Sequence, residues 1–419
     1  MNVRPPTPVG SQNLPAIPLK RPPARRLRVY AFDPSLSLQL ENAFINHVTL
    51  KVPWEDECAK CGDQLQPGPV GEYVEVVDYD PASECFYALV DLNQPYLLAQ
   101  DGLEPSEGNP QFHQQMVYAV AMTTIRKFER ALGRKALWAP RRPPWKPGQR
   151  RYEQEQYVQR LRIYPHALRE ANAYYSPEKK ALLFGYFPAS ETDSRLHLAG
   201  GTVFTCLSHD IVAHETAHAL LDGMHRRFNE ASNPDVLAFH EAFADIVALF
   251  QHFSFPEVLR HQIAKTRGDL GTENLLAQLA QQFGSAIGSH GSLRDALGRK
   301  VDGVWKRAEP DPTRINETFE PHDRGAILVA AIFDAFVSIY KRRTADLLRI
   351  ATSGTGVLSE GALSPDLVNR LAAEASKCAN HVLTMCIRAL DYCPPVDLTF
   401  GDYLRALITF NELNLLGVR

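Results

Sequence analysis

The chain lacks charge of one sign, long apolar runs and a paired set of cysteines. Its 419 residues hold 45 Lys and Arg against 48 Asp and Glu, a formal net charge of −3. That balance leaves no basic footprint for a phosphate backbone, so no nucleic-acid partner is expected. No run of about eighteen apolar residues occurs, the length a membrane span requires. The best stretch, Gly325 to Tyr340, is interrupted by Asp334 and reads as a buried helix, so no membrane partner is expected either. The first residues, MNVRPPTPVGSQNLPAIPLKRPPARR, contain no apolar centre of a signal peptide, and no long pro-segment follows them. The seven cysteines are an odd number, and Cys206 and Cys386 lie in apolar surroundings, as reduced thiols do. These absences predict a cytoplasmic protein. With 45% hydrophobic residues, the chain has ample length for a large core.

Composition divides the chain. Residues 1–26 are proline-rich and basic with no acidic residue, and read as a disordered tail of polyproline character. A short β-containing unit is expected over 27–70, with strands at 27–31 and 48–52. Within it, Cys58-Ala59-Lys60-Cys61 is a lone CxxC: half of a zinc knuckle, a redox pair, or an ordinary loop. Strand alternation recurs at 73–77, 86–90, 159–164 and 181–187, with a helix from Pro110 to Leu132. Residues 139–151 (APRRPPWKPGQRR) form a proline-rich basic loop; it and the tail are the candidate docking surfaces for a partner. After His209 the pattern is helical, with helices expected near 209–222, 235–252, 273–284, 325–341, 364–390 and 400–411. Strands first and helices second predict an α+β fold.

The chemistry is concentrated in His214-Glu215-Thr216-Ala217-His218. On a helix, His214 and His218 project from one face a turn apart, so both imidazoles can reach one Zn²⁺. Glu215 stands beside them as a general base for a zinc-activated water. Two histidines and a glutamate on an otherwise apolar helix are costly to bury without partners, which favours a metal. Ser208 is the expected N-cap. Twenty-two residues after His218 begins His240-Glu241-Ala242-Phe243-Ala244-Asp245, behind the helix start Asn233-Pro234-Asp235. Glu241 and Asp245 share a face, giving a third ligand and an acceptor for the free N–H of a ligating imidazole, with His214 its expected donor. A third-histidine plan fails, because Leu221 and Met224 occupy its glycine and histidine positions. His225 would sit roughly 10 Å further along the axis, out of ligand reach, and reads as a cleft or surface residue.

These motifs resemble the thermolysin-like gluzincin metallopeptidases. The resemblance extends upstream to Asn172-Ala173-Tyr174-Tyr175 with Ala181-Leu182-Leu183-Phe184-Gly185, and downstream to Gly291-Ser292-Leu293-Arg294-Asp295 and Pro321-His322-Asp323-Arg324-Gly325. It implies a two-lobe molecule, a β-rich N-terminal lobe (71–223, through the HExxH helix) and a mainly helical C-terminal lobe (224–419), with the zinc helix at their junction. It implies an endopeptidase with one catalytic zinc on His214, His218 and Glu241, acting on a peptide or protein substrate. Asn172 and Ala173 would hold the substrate backbone, Arg294 a substrate carbonyl, and His322 the oxyanion, with Glu317 orienting His322. A partner-specific regulatory, toxin or defence protease would use the same chemistry; a non-catalytic zinc-containing binding protein would keep only the metal.

Two departures stand out. Residues 219–240 contain no tyrosine, where the family has an extra oxyanion donor; Phe228 stands near that place, and Arg226 or Arg227 are candidate substitutes beside His322. The acidic cluster that binds calcium in secreted members is not evident after Asp245, so no calcium requirement is expected.

Overall fold

The computed structural model describes residues 23–55, 65–142, 155–190, 200–272, 274–279, 294–295, 298–301, 304–307 and 313–415. The CxxC, most of the 139–151 loop and the first 22 residues lie outside them. The fold is α+β, with its strands mainly before residue 205 and its helices mainly after.

Strands β1 (Ala24–Tyr30) and β2 (His47–Pro53) pair antiparallel from Ala24 with Pro53 to Tyr30 with His47. β1 therefore starts inside the segment expected to be tail. Arg25 explains this. It is buried, its guanidinium lies 4.2 Å from the Trp54 ring, and it donates to Asn93 Oδ1 at 2.6 Å. A basic residue thus closes a strand by stacking its apolar stem and flat head on an aromatic.

The main sheet has five strands: β3 (Val74–Val76), β4 (Leu161–Leu168), β5 (Ala173–Ser176), β6 (Ala181–Pro188) and β7 (Thr202–Phe204). Its order is β3-β4-β6-β5, with β7 also on β6. β3, β4 and β6 run parallel; β5 and β7 are antiparallel to β6. The strand expected at 86–90 shrinks to Cys85–Phe86. Beyond it side chains take part of the backbone bonding: Val90 N–H donates to Gln114 Oε1, and Gln114 Nε2 donates to the Ala88 carbonyl. Those polar groups have partners without a ladder.

Helix α1 (Pro110–Leu132) starts at an Asn109 cap and ends at Gly133, whose φ of 70° suits glycine. It packs against β1, β2 and β3 on one side and α2 (His209–Met224) on another, which explains its almost unbroken burial from Phe112 to Met122. Helix α3 (Pro234–Gln251) packs on α2 and on α5 (Pro321–Ala351). Helix α3 passes for a membrane span on length and composition alone, yet is almost wholly buried in the molecule. Helices α4 (Pro256–Lys265), α6 (Pro365–Ala389) and α7 (Phe400–Leu415) complete the helical layer. The helix expected at 273–284 is not formed where that segment is described. Asn274 caps a single 3₁₀ turn, Leu275–Ala277, which runs into a two-residue strand paired with Arg294–Asp295. One apolar cluster runs through both halves of the chain, from Leu27 to Ala406. Phe250, Phe253, Phe333 and Phe336 form its aromatic centre, each worth about 1.5–3 kcal/mol in burial.

Candidate metal centre

Ser208 accepts from Ile211 N–H and starts α2, which carries His214, Glu215 and His218, all buried. Asn233 accepts from Asp235 N–H at 2.7 Å and starts α3, with Pro234 at its first turn. The two helices bring their polar faces together. His214 Nε2 and His218 Nε2 lie 2.9 Å apart. Glu241 Oε2 lies 3.4 Å from the first and 3.7 Å from the second. Donors at zinc-bond length around a tetrahedral ion stand about 3.3 Å from one another, so this set is the right size.

The outer nitrogens favour the same reading. Asp245 Oδ1 is 2.8 Å from His214 Nδ1, a place that keeps a proton on Nδ1, so that the neutral imidazole turns its Nε2 lone pair inward. His218 Nδ1 is 2.6 Å from His240 Nδ1, and the two rings stack at 21°. Glu241 Oε2 faces three imidazoles, yet no contact has hydrogen-bond geometry among the described residues. A buried carboxylate oxygen in that position suits a cation. The donor set, two imidazoles and one carboxylate, fits zinc.

Electrostatics follow from this crowding. Burial lowers the His214 pKa, but the Asp245 and Glu241 carboxylates beside the ring outweigh it and the net result is a rise to about 10. Burial raises Glu241, but His218, His214 and His322 hold it well below the usual carboxylate range. Burial raises Glu215, only partly offset by His214 and His218, as suits a proton acceptor.

Glu215 is held from the sheet. Its Oε2 accepts the backbone N–H of Tyr175 at 2.7 Å. β5 is an edge strand, and its pairing with β6 alternates. Asn172 accepts from Gly185 N–H on β6 through its carbonyl, so Ala173 and Tyr175 direct their backbone groups to the outer edge. Asn172 is exposed and Ala173 half-buried beside the base. Below, Tyr175 Oη and Lys180 Nζ both donate to Asp222 Oδ2, at 2.7 and 2.8 Å, tying the end of α2 to the sheet.

His322 arrives from α5. Gly325 touches α3 so closely that a Cβ there would lie 2.8 Å from the Ala238 carbonyl and 3.2 Å from Ala242 N. Glycine thus allows the approach that puts His322 Nε2 3.2 Å from Glu241 Oε2. Arg324, buried one residue earlier, donates to Asp235 Oδ1 at 2.7 Å and to the Thr318 carbonyl at 2.8 Å, fixing that contact.

The carboxylate beside His322 is not Glu317, which is exposed. Glu320 takes that place, its Oε1 2.8 Å from His322 Nδ1, while its Oε2 accepts Asp323 N–H as the helix cap. Cap geometry turns Glu320 toward the ring. Arg294 lies in the short strand opposite Gln278–Leu279, with its side chain outside the described residues. Neither candidate substitute for the absent tyrosine stands free at the metal donors. Arg226 pairs with Glu155 at 2.8 Å and Arg227 approaches Glu230. Phe228 is buried against Phe239 and stacks on His225, whose Nε2 donates to the Leu390 carbonyl. His225 is therefore a half-buried packing residue rather than a cleft residue. His240 escaped sequence reasoning; the available signal was a histidine next to the candidate ligand Glu241 on an otherwise apolar helix.

A separate concavity on the sheet, lined by Tyr79, Arg141, Arg162, Tyr164 and Lys179, includes none of these residues. No protein-family model and no curated protein matches this chain.

Proposed function

We propose that the chain is a zinc-dependent endopeptidase of the thermolysin type, with a strand-rich lobe and a helical lobe meeting at α2. One observation carries the reading: two inward imidazole nitrogens and a carboxylate oxygen within 3.7 Å, with a second carboxylate, Glu215, beside them. His214, His218 and Glu241 would hold zinc. Bound there, zinc supplies Lewis acidity toward a carbonyl and acidifies water.

The chain's own groups do the rest. Glu215 takes the proton of the attacking water and returns it to the leaving amine, held in line by Tyr175 N–H. The free edge of β5 can add an extended peptide as a further strand beside that base, with Ala173 providing backbone groups. His322, half-exposed and oriented by Glu320, donates to the oxyanion that develops on the scissile carbonyl. A purely structural zinc site has no use for the Glu215 arrangement, which is why the catalytic reading is preferred to a binding protein. The test is cleavage of a proteome-derived peptide library by zinc-loaded protein and by Glu215→Gln side by side. Cuts made only by the unmodified protein are expected; none, or the same cuts by both, overturns the proposal.

A further inference from the structure

A second meeting of histidines lies outside the site above. His113 of α1 and His166 of β4 are buried, with His113 Nδ1 and His166 Nε2 2.8 Å apart. Cys206 lies in the 3₁₀ turn Thr205–Leu207, just before the Ser208 cap of α2, and is completely buried. The three ligand atoms lie within 4.8 Å of one another.

Proton accounting makes this arrangement informative. His113 Nε2 is 3.0 Å from the Glu107 carbonyl, which can only accept, so that nitrogen carries a proton. His166 Nδ1 is 2.6 Å from Asp78 Oδ1, whose other oxygen accepts from Gln114 Nε2 at 2.7 Å. With the carboxylate as acceptor, His166 Nδ1 carries a proton too. Both outer nitrogens donate, so the inner ones present two lone pairs to each other at 2.8 Å. Something positive must lie between them: a third proton or a metal ion. The pair on α2 is similar in part, with inner nitrogens 2.9 Å apart and Asp245 outside His214, but His218 has another imidazole, His240, on its outer side.

We propose that His113, His166 and Cys206 form a second, buried zinc site that ties α1, the sheet and the turn leading into α2. Two imidazoles and a thiolate are the donors zinc accepts, and a set without an inward carboxylate does not suit magnesium or calcium. A shared proton alone would leave Cys206 without a part. Loading exchanges one Zn²⁺ for two protons, the thiol's and the one shared by the imidazoles, so net charge is conserved. The ion's two charges are balanced by the Cys206 thiolate and the Asp78 carboxylate inside an apolar shell. That shell is aromatic: Phe204 lies 4.7 Å from the His113 ring and 5.6 Å from His166, with Tyr87 and Tyr186 at 5.0 and 6.2 Å from His166. Both tyrosine hydroxyls donate to Asp80. The site is sealed from substrate, and its role is anchorage.

The test uses the full chain with Cys58→Ser and Cys61→Ser, so that the CxxC contributes no thiolate, loaded with cobalt(II). Two equivalents of cobalt and a near-ultraviolet thiolate-to-cobalt charge-transfer band are expected. Adding Cys206→Ala should remove the band and one equivalent, whereas adding His218→Ala should remove the other equivalent and keep the band. Absence of the band before any core substitution overturns the proposal, whether or not Cys206→Ala folds. Persistence of the band in folded Cys206→Ala also overturns it. Failure of the peptidase reading would be seen separately, as the missing His218-dependent equivalent.

Discussion

His214 with His218 and His113 with His166 are both imidazole pairs meeting nitrogen to nitrogen, but their surroundings differ in what governs access. The first pair sits on one helix beside two carboxylates and a half-exposed histidine, His322. The second joins a helix to a strand, with a thiol as its third group and aromatic rings on its flanks. The inward pair is common to both; the neighbours decide what it can do. Glu215 and an open edge strand suit turnover, whereas a sealed thiol suits anchorage.

The comparison breaks most sharply at Glu215. Glu215→Gln should keep zinc by elemental analysis and lose about 10³-fold or more in peptide cleavage. Activity within tenfold of the unmodified protein would reject Glu215 as base and leave the two pairs functionally alike. Next in size is His322→Ala, expected to lower kcat by about 10²-fold with KM little changed, since the donation proposed for it is to the oxyanion. A rise in KM at constant kcat would make it a substrate-binding residue. Third, Asp245→Asn should weaken zinc binding about 10–100-fold in competition with a chelator, because the His214 tautomer is no longer fixed; unchanged affinity would remove Asp245 from the site.

The smallest effect comes from an unpaired histidine. His209, the first residue of α2, is buried with no hydrogen-bond partner for either ring nitrogen among the described residues. Burial lowers its pKa to about 3, from 6.5. Between those values the unfolded chain binds the extra proton, so stability is full above pH 6.5 and falls as pH drops toward 3. Its share is about 2 kcal/mol between pH 6.5 and 5. His209→Asn should flatten that limb in urea midpoints measured against pH; an unaltered slope would show that other groups carry it.

The first pair was legible in the sequence because its donors repeat every four residues on two capped helices. Ser208 and Asn233 mark the starts, and helical geometry does the rest. His322 was reached by resemblance, but its carboxylate partner was not. Glu320 was missed because the cap conformation, not spacing, turns it toward the ring. The second pair was invisible for a different reason. His113, His166 and Cys206 belong to three elements far apart in the chain, and only the packing of α1 and the Thr205–Leu207 turn against the sheet brings them together. Arg25 shows the same limit at the edge of the fold. Its basic, proline-rich surroundings read as tail until Trp54, on another strand's flank, supplies a surface to stack on.

The contact at Gly325 gives α5 a fulcrum close to one end. From there the helix runs roughly 39 Å to Ala351 but only about 4.5 Å back to His322, at 1.5 Å per residue. A tilt about that point is therefore reduced roughly ninefold at the short arm relative to the long one. Swings of the distal end, where α5 meets the solvent, reach His322 as displacements of tenths of an ångström. Unequal arms make the helix a lever geared for steadiness, isolating His322 from the motion of the scaffold that carries it.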